Sequence, residues 1–178
     1  MITGIDVFNK RALIYEQKYM DVSAYAEGFD FLLSRINGSK VLDVACGPGN
    51  VAAYMLSKTP TLQWFGIDLS PNMVQLASKN APAGNFQVMD AKRIHTLQTG
   101  FNAVISAFCF PYLTPEELLL FCKSASALLL PGGLIYVSTM AGQSTHTAMQ
   151  VNSFGDELHT YYHAPADIIA VLQESGFK

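Results

Sequence analysis

With 178 residues, half of them hydrophobic, the chain is long enough for one domain with a sizeable core. No uninterrupted apolar stretch approaches the roughly 20 residues of a membrane span, despite a mean hydropathy of +0.22. A net charge of −3 with scattered Lys and Arg lacks the basic footprint that nucleic-acid binding needs.

Residues 5–37 carry helical spacing in two segments: Ile14, Tyr15 and Tyr19, then Phe29, Leu32, Leu33 and Ile36, with Gly38 as a stop. Asp6, Lys10, Arg11 and Glu16 leave no apolar signal core. Val41-Leu42-Asp43-Val44 reads as a strand that ends in a Gly-rich turn, with a helix from about Gly49 to Lys58. Leu62–Ile67 is a second strand. Ser70 then caps a helix that has Pro71 at its first position and runs to Lys79. Strands follow at 86–89 and 101–108. Thr114-Pro115-Glu116-Glu117 opens a helix as a capping box; it ends near Leu130, and Leu134–Ser138 is the fifth strand. Residues 140–163 read as a long irregular segment holding three of the four histidines, and loops of that length are often functional. A final helix covers about 165–175.

Strands alternating with helices predict an α/β fold: a doubly wound, mainly parallel, Rossmann-like sheet covered on both faces. The whole chain reads as one domain, with a helical lid over 1–37, a cofactor-binding core over 38–139 and a substrate-side segment over 140–178. Cys46, Cys109 and Cys122 form no CxxC and have no His at ligand spacing. That argues against a disulfide framework or a metal site and for a reducing, cytoplasmic setting.

The turn Gly47-Pro48-Gly49 between a strand and a helix lets a ligand approach the backbone, because glycines remove blocking Cβ atoms. Asp68 follows 19 residues after Gly49, where an acid accepts bonds from ribose hydroxyls. Gly47-x-Gly49-x-x-Ala52 also fits a dinucleotide fingerprint. Against that stands an acidic rim of Asp43, Asp68 and Asp90 at the ends of the first three strands. Carboxylates there repel pyrophosphate and suit a cationic sulfonium with an amino group.

From about residue 10 onward the sequence resembles the class I S-adenosylmethionine-dependent methyltransferases. Residues 41–50 are similar to that family's first motif, with Ala45 where many members have Gly. Gly66-Ile67-Asp68-Leu69-Ser70-Pro71 is similar to the second motif and Val88-Met89-Asp90-Ala91 to the third. Residues 101–106 and 128–134 resemble the fourth strand and the turn before the fifth. The resemblance implies that Asp43, Ala45, Gly47 and Gly49 cradle the methionine end. It implies that Asp68 holds the ribose, Leu69 packs on the adenine, and Asp90 accepts from the adenine amino group beside Ala91. Ser106 would sit near the methionine part or the acceptor. Tyr15 and Tyr19 resemble aromatic lid residues, with a core-packing role as the alternative.

Methyl transfer needs alignment above all. A general base enters only where the nucleophile must lose a proton. His159, Tyr162 and His163 are the catalytic candidates, and Tyr112 follows the strand that shapes acceptor pockets in related enzymes. An amino-methyltransferase signature is absent after the fourth strand, so the expected acceptor is a small molecule, without nucleic acid or membrane. A nicotinamide oxidoreductase and a cofactor-binding module without catalysis are the competing readings. The sequence stops at Gly176-Phe177-Lys178, where the resembling family continues into a β6/β7 hairpin. That hairpin is expected to be lacking, leaving the fifth strand as an edge open to homodimer formation.

Overall fold

A computed structural model describes residues 4–151 and 155–178. The first three residues of the expected lid and residues 152–154 of the expected substrate-side segment lie outside them. The chain runs α1 (Gly4–Tyr19), α2 (Ala26–Arg35), β1 (Lys40–Val44), α3 (Asn50–Lys58), β2 (Gln63–Asp68), α4 (Pro71–Asn80), β3 (Asn85–Val88) and β4 (Phe101–Ala107). It continues through α5 (Pro115–Leu128), β5 (Leu129–Ser138), β6 (His146–Val151), β7 (Glu157–Tyr162) and α6 (Pro165–Glu174). Short 3-10 turns span Ser23–Tyr25, Ala91–Thr96 and Phe110–Tyr112.

Strands β1 to β5 form one sheet in the order β3-β2-β1-β4-β5, and every pair is parallel. Alternate residues of the central strands feed two cores. Leu42, Val44 and Val104 pack with Phe121, Cys122, Ala125 and Ile168 of α5 and α6. Val41, Ala103 and Ile105 pack with Phe29, Val51, Met55 and Trp64 on the other face. Because both faces are covered, β1 is apolar almost throughout and period-2 patterning is lost. Lys40 at its exposed start and Asp43 are the exceptions, and Asp43 is fully buried.

The helix starts follow their local chemistry. The Ser70 hydroxyl accepts from the Met73 N–H, with Pro71 at the first turn of α4. At α5 the Thr114 and Glu117 side chains cap each other's backbone N–H groups reciprocally. Gly49 precedes α3 with φ +81°, and a Cβ there would lie 2.8 Å from the Ala77 Cα of α4. Glycine therefore permits both the left-handed turn and the close helix approach.

Two expectations need correction. Residues 140–163 are not irregular: β6 and β7 pair antiparallel from His146↔Tyr162 to Val151↔Glu157 as a separate two-stranded sheet. This hairpin lies before α6, so it is distinct from the one expected after Lys178. Its inward residues are Ala148, Gln150, Leu158 and Thr160, too polar a set to mark alternation. The fifth strand also begins five residues early, at Leu129, because Phe101 pairs with Leu129 before the register shifts at the Pro131-Gly132-Gly133 turn.

Replacing Thr114 by Ala is expected to cost about 1 kcal/mol, read as a fall in Tm of about 2–4 °C. Gly49→Ala is expected to cost more, about 2–3 kcal/mol, by the same thermal measurement. Equal stability of the two variants would contradict the α3–α4 approach.

Candidate active site

The C-terminal ends of β1 and β4 open onto a cavity of about 600 Å³. Its floor is the β1–α3 turn, with Asp43, Ala45, Cys46 and Gly47. Its roof is α1, its far wall Phe108 and Tyr112, and its outer side Gln150 and Leu158 of the hairpin. The turn is held from below: the Cys46 N–H donates to the Ile67 carbonyl and the Gly49 N–H to the Cys46 carbonyl. Ala45 adopts φ +59° and Gly47 φ +53°. The alanine tolerates a left-handed conformation that costs about 1 kcal/mol, so its departure from the family glycine is accommodated.

Asp68 ties the turn to the next strand. Its Oδ2 accepts from the Gly47 N–H and its Oδ1 from the Ser70 N–H, each at 2.9 Å. Burial pushes its pKa up, and these N–H groups pull it back. Each carboxylate oxygen retains acceptor capacity for a further donor. Asp43 lies deeper. Neither of its oxygens has a hydrogen-bond partner. Burial first and the Asp68 charge second push its pKa up to about 8, with the nearby Trp64 indole acting weakly the other way. A buried carboxyl without a partner is costly, which singles out this cavity wall as a candidate ligand site.

α1 is fastened over this floor. Asn9 meets the Ser70 hydroxyl and the Asn72 backbone and side chain. Asn80 donates to Glu16 at 2.6 Å and to the Pro48 carbonyl at 3.0 Å, and Asn50 donates to the Tyr19 carbonyl at 2.9 Å. These bonds place the Tyr15 ring against Gly47, where a Cβ would lie 3.9 Å from it and from no other group within 4 Å. Tyr15 contacts Tyr19 and Phe8 by ring packing, and Phe8 contacts Tyr112 edge-on. Burial raises the pKa of the Tyr15 phenol, and that of Tyr112 reaches about 12.

Of the residues expected from sequence, Asp43, Ala45, Gly47, Tyr15 and Tyr19 line this one cavity, and Asp68 joins them through Gly47. Leu69, exposed by 43%, offers an apolar face beside Asp68. Asp90 caps the 3-10 turn that begins at Ala91, accepting from the Lys92 N–H at 2.9 Å. Gly49 serves helix packing. Ser106 is buried with its hydroxyl unpartnered and does not line the cavity. His159 is exposed. His163 is buried, and its Nε2 meets the carbonyls of Phe110 at 3.1 Å and Leu113 at 3.0 Å. Tyr162 reaches the cavity only through the Gln150 side chain. Sequence reasoning passed over Arg11, Lys18, Tyr25, Phe108 and Gln150, which line the cavity. Helical spacing of 11, 15 and 18 carried the signal for the first two.

No helix among the described residues is long and apolar enough to cross a membrane. They contain no group of three His, Cys, Asp or Glu able to hold a metal.

The chain matches the methyltransferase domain family over residues 41–133. A demethylmenaquinone methyltransferase of Thermotoga maritima is 25% identical over 169 residues, covering 83% of this chain and 73% of its own length. An uncharacterized methyltransferase of Oceanobacillus iheyensis is 25% identical over 181 residues, covering 98% of this chain and 76% of its own. Among solved structures, the DhpI complex with SAH superposes with a TM-score of 0.75 at 19% identity, over 97% of this chain and 85% of that one. An S-adenosylmethionine-dependent methyltransferase from Clostridium acetobutylicum gives 0.74 at 15% identity, over 95% and 87%. The dinucleotide reading falls with the family match, and the unpartnered Asp43 beside the glycine turn fits a cofactor with an ammonium group. The chain therefore belongs to the methyltransferase domain family, with the class I fold of those solved structures.

Proposed function

We propose that this chain transfers the methyl group of S-adenosylmethionine to a small-molecule acceptor held in the cavity beneath α1. The observation that carries the reading is Asp43: a buried carboxyl, unpartnered at both oxygens, facing an aromatic cavity next to a glycine turn. The named small-molecule enzymes among the relatives, the demethylmenaquinone methyltransferase included, support the acceptor class.

When bound, the cofactor supplies a methyl group on a positively charged sulfur, already activated for displacement. The chain's own residues bind and align. Asp43 takes the methionine ammonium and gives up its proton as it does so. Asp68 accepts the ribose hydroxyls while its present bonds keep the carboxylate rigid. Leu69 covers one adenine face, and Asp90 with Ala91 borders the adenine amino edge. Tyr15 and Tyr19 close the roof and exclude water. Phe108 and Tyr112 form the wall against which the acceptor is oriented. Alignment of this kind supplies about 7–11 kcal/mol of a displacement barrier. His159, Tyr162 and His163 take no part in this scheme: His159 is exposed, the His163 Nε2 is engaged with the Phe110 and Leu113 carbonyls, and the Tyr162 hydroxyl accepts from Gln150.

The sign of the Asp43 effect follows from its raised pKa. In the empty protein Asp43 keeps its proton up to about pH 8, and in the complex it is ionised. Binding of S-adenosylhomocysteine therefore releases a proton, and affinity rises with pH through neutrality and levels off near pH 8. Calorimetry at pH 7 in buffers of different ionisation enthalpy measures the release directly. Asp43→Asn is expected to abolish it and to weaken binding. A buffer-independent enthalpy would sink the assignment of Asp43.

Asp68→Ala is expected to weaken S-adenosylhomocysteine binding by about 10–100-fold, as the loss of hydrogen bonds to a charged group does. Turnover with any small acceptor separates the enzyme from a module that binds cofactor alone; binding without turnover across a broad acceptor panel supports the module.

A further inference from the structure

The cavity also constrains the acceptor's chemistry, an inference that rests on the functional reading above. α1 turns Phe8, Arg11, Tyr15 and Lys18 toward the cavity, positions that share one helical face. Two of these four are cations in a chain of net charge −3. Arg11 is oriented by Asp156, whose Oδ2 accepts from its Nε at 2.9 Å. Lys18 is exposed at the mouth, with its ammonium 5.1 Å from the centre of the Tyr19 ring. Opposite them, Tyr25 packs edge-on against Phe108 at 5.4 Å, and Tyr112 continues the wall. The space is thus bordered by flat rings, with Lys18 and Asp21 at its mouth and the Arg11–Asp156 ion pair at its side.

Among the described residues that line it, proton acceptors are few and weak. There is neither His nor Glu among them. The Cys46 thiol is driven far up by burial and by Asp43 and Asp68. The phenols of Tyr15 and Tyr112 are raised in the same way. Asp21, at the mouth, accepts from the Ser23 N–H at 2.9 Å, which lowers its basicity. Asp43 is committed to the cofactor's ammonium in the reading above. The hairpin contributes Gln150 and Leu158, neither of which titrates. An acceptor whose nucleophile must be deprotonated by the protein finds no partner here.

We propose that the acceptor is a small planar carboxylic acid, bound as its carboxylate between the α1 cations and the aromatic wall, and methylated on its own anionic oxygen. A carboxylate oxygen lone pair forms the new O–CH₃ bond while the S–CH₃ bond breaks and its electron pair stays on sulfur. The anion and the sulfonium become a neutral ester and a neutral thioether, and no proton leaves. Arg11 and Lys18 draw the anion in, while the rings hold its plane.

The test uses the full chain at saturating S-adenosylmethionine with benzoate, cinnamate, their primary amides, and phenol and aniline as acceptors whose nucleophile is not ionised. Methyl esters detected by mass spectrometry from the acids alone, with kcat flat between pH 6 and 9, are expected. Lys18→Ala is expected to raise KM for the acid about tenfold and to weaken its salt dependence. The variant leaves S-adenosylhomocysteine affinity within about twofold, and Lys18→Arg restores KM. Phenol or aniline preferred over the acids, or a rate that climbs with pH, overturns the proposal. So does failure of both acids to bind the S-adenosylhomocysteine-loaded protein at millimolar concentration by calorimetry. Methylation of phenol or aniline alone leaves the functional reading standing, whereas loss of S-adenosylhomocysteine binding by the folded chain removes that reading itself.

Discussion

The buried carboxyl of Asp43 sits near the end of a strand whose other buried residues are apolar, between two hydrophobic cores, with neither oxygen satisfied. Such a group lowers the stability of the empty protein and is tolerated only where the surrounding frame is rigid. That frame is the parallel sheet: β1 is its middle strand, bonded to β2 and β4 along its length. The second carboxylate, Asp68, stands at the end of β2 and is bonded to the turn that follows Asp43. The two acids thus share one field. The Asp68 charge adds to burial in holding the Asp43 carboxyl protonated.

Strain is gathered at the same lip. Ala45 and Phe108 are the two non-glycine residues with left-handed backbone among the described positions. They follow neighbouring strands, β1 and β4, and both border the cavity. For a bulky residue such as Phe108 this conformation costs about 1–3 kcal/mol. Bonds on either side sustain it, among them the Phe108 N–H to the Ser138 carbonyl at 2.8 Å. The phenylalanine ring packs against Tyr25 and builds one wall of the cavity.

Most of the frame was legible in the sequence because its signals are local. Capping residues at Ser70 and Thr114, the glycine turn and the apolar strands each announce one element within a few residues. That Asp43, Gly47 and Asp68 come together was legible for a related reason: all three are fixed by position at or just after strand ends. The hairpin was not, because its inward face carries Ala148, Gln150 and Thr160, whose burial comes from packing beside α1 and the Phe110–Tyr112 turn rather than from hydrophobicity. His163 illustrates the same limit. A histidine in a long polar segment reads as a candidate base, yet here it is buried and bonded to two backbone carbonyls fifty or more positions earlier. Only the tertiary fold reveals that it braces the wall.

The roof differs from the floor in how it is held. The floor is bonded strand to strand, whereas α1 is attached by side chains at both flanks: Asn9 to Ser70 and Asn72, Glu16 to Asn80, and the Tyr19 carbonyl to Asn50. A small apolar cluster of Ala12, Met73 and Leu76, with Phe8 and Tyr15 packed against it, adds a buried contact between α1 and α4. A helix fastened this way opens at less cost than any strand beneath it, since few buried apolar contacts must be broken. Asn80 is central to these tethers, because its amide grips both Glu16 of α1 and the Pro48 carbonyl of the glycine turn. The seating of the roof and the shape of that turn are thereby coupled through one side chain.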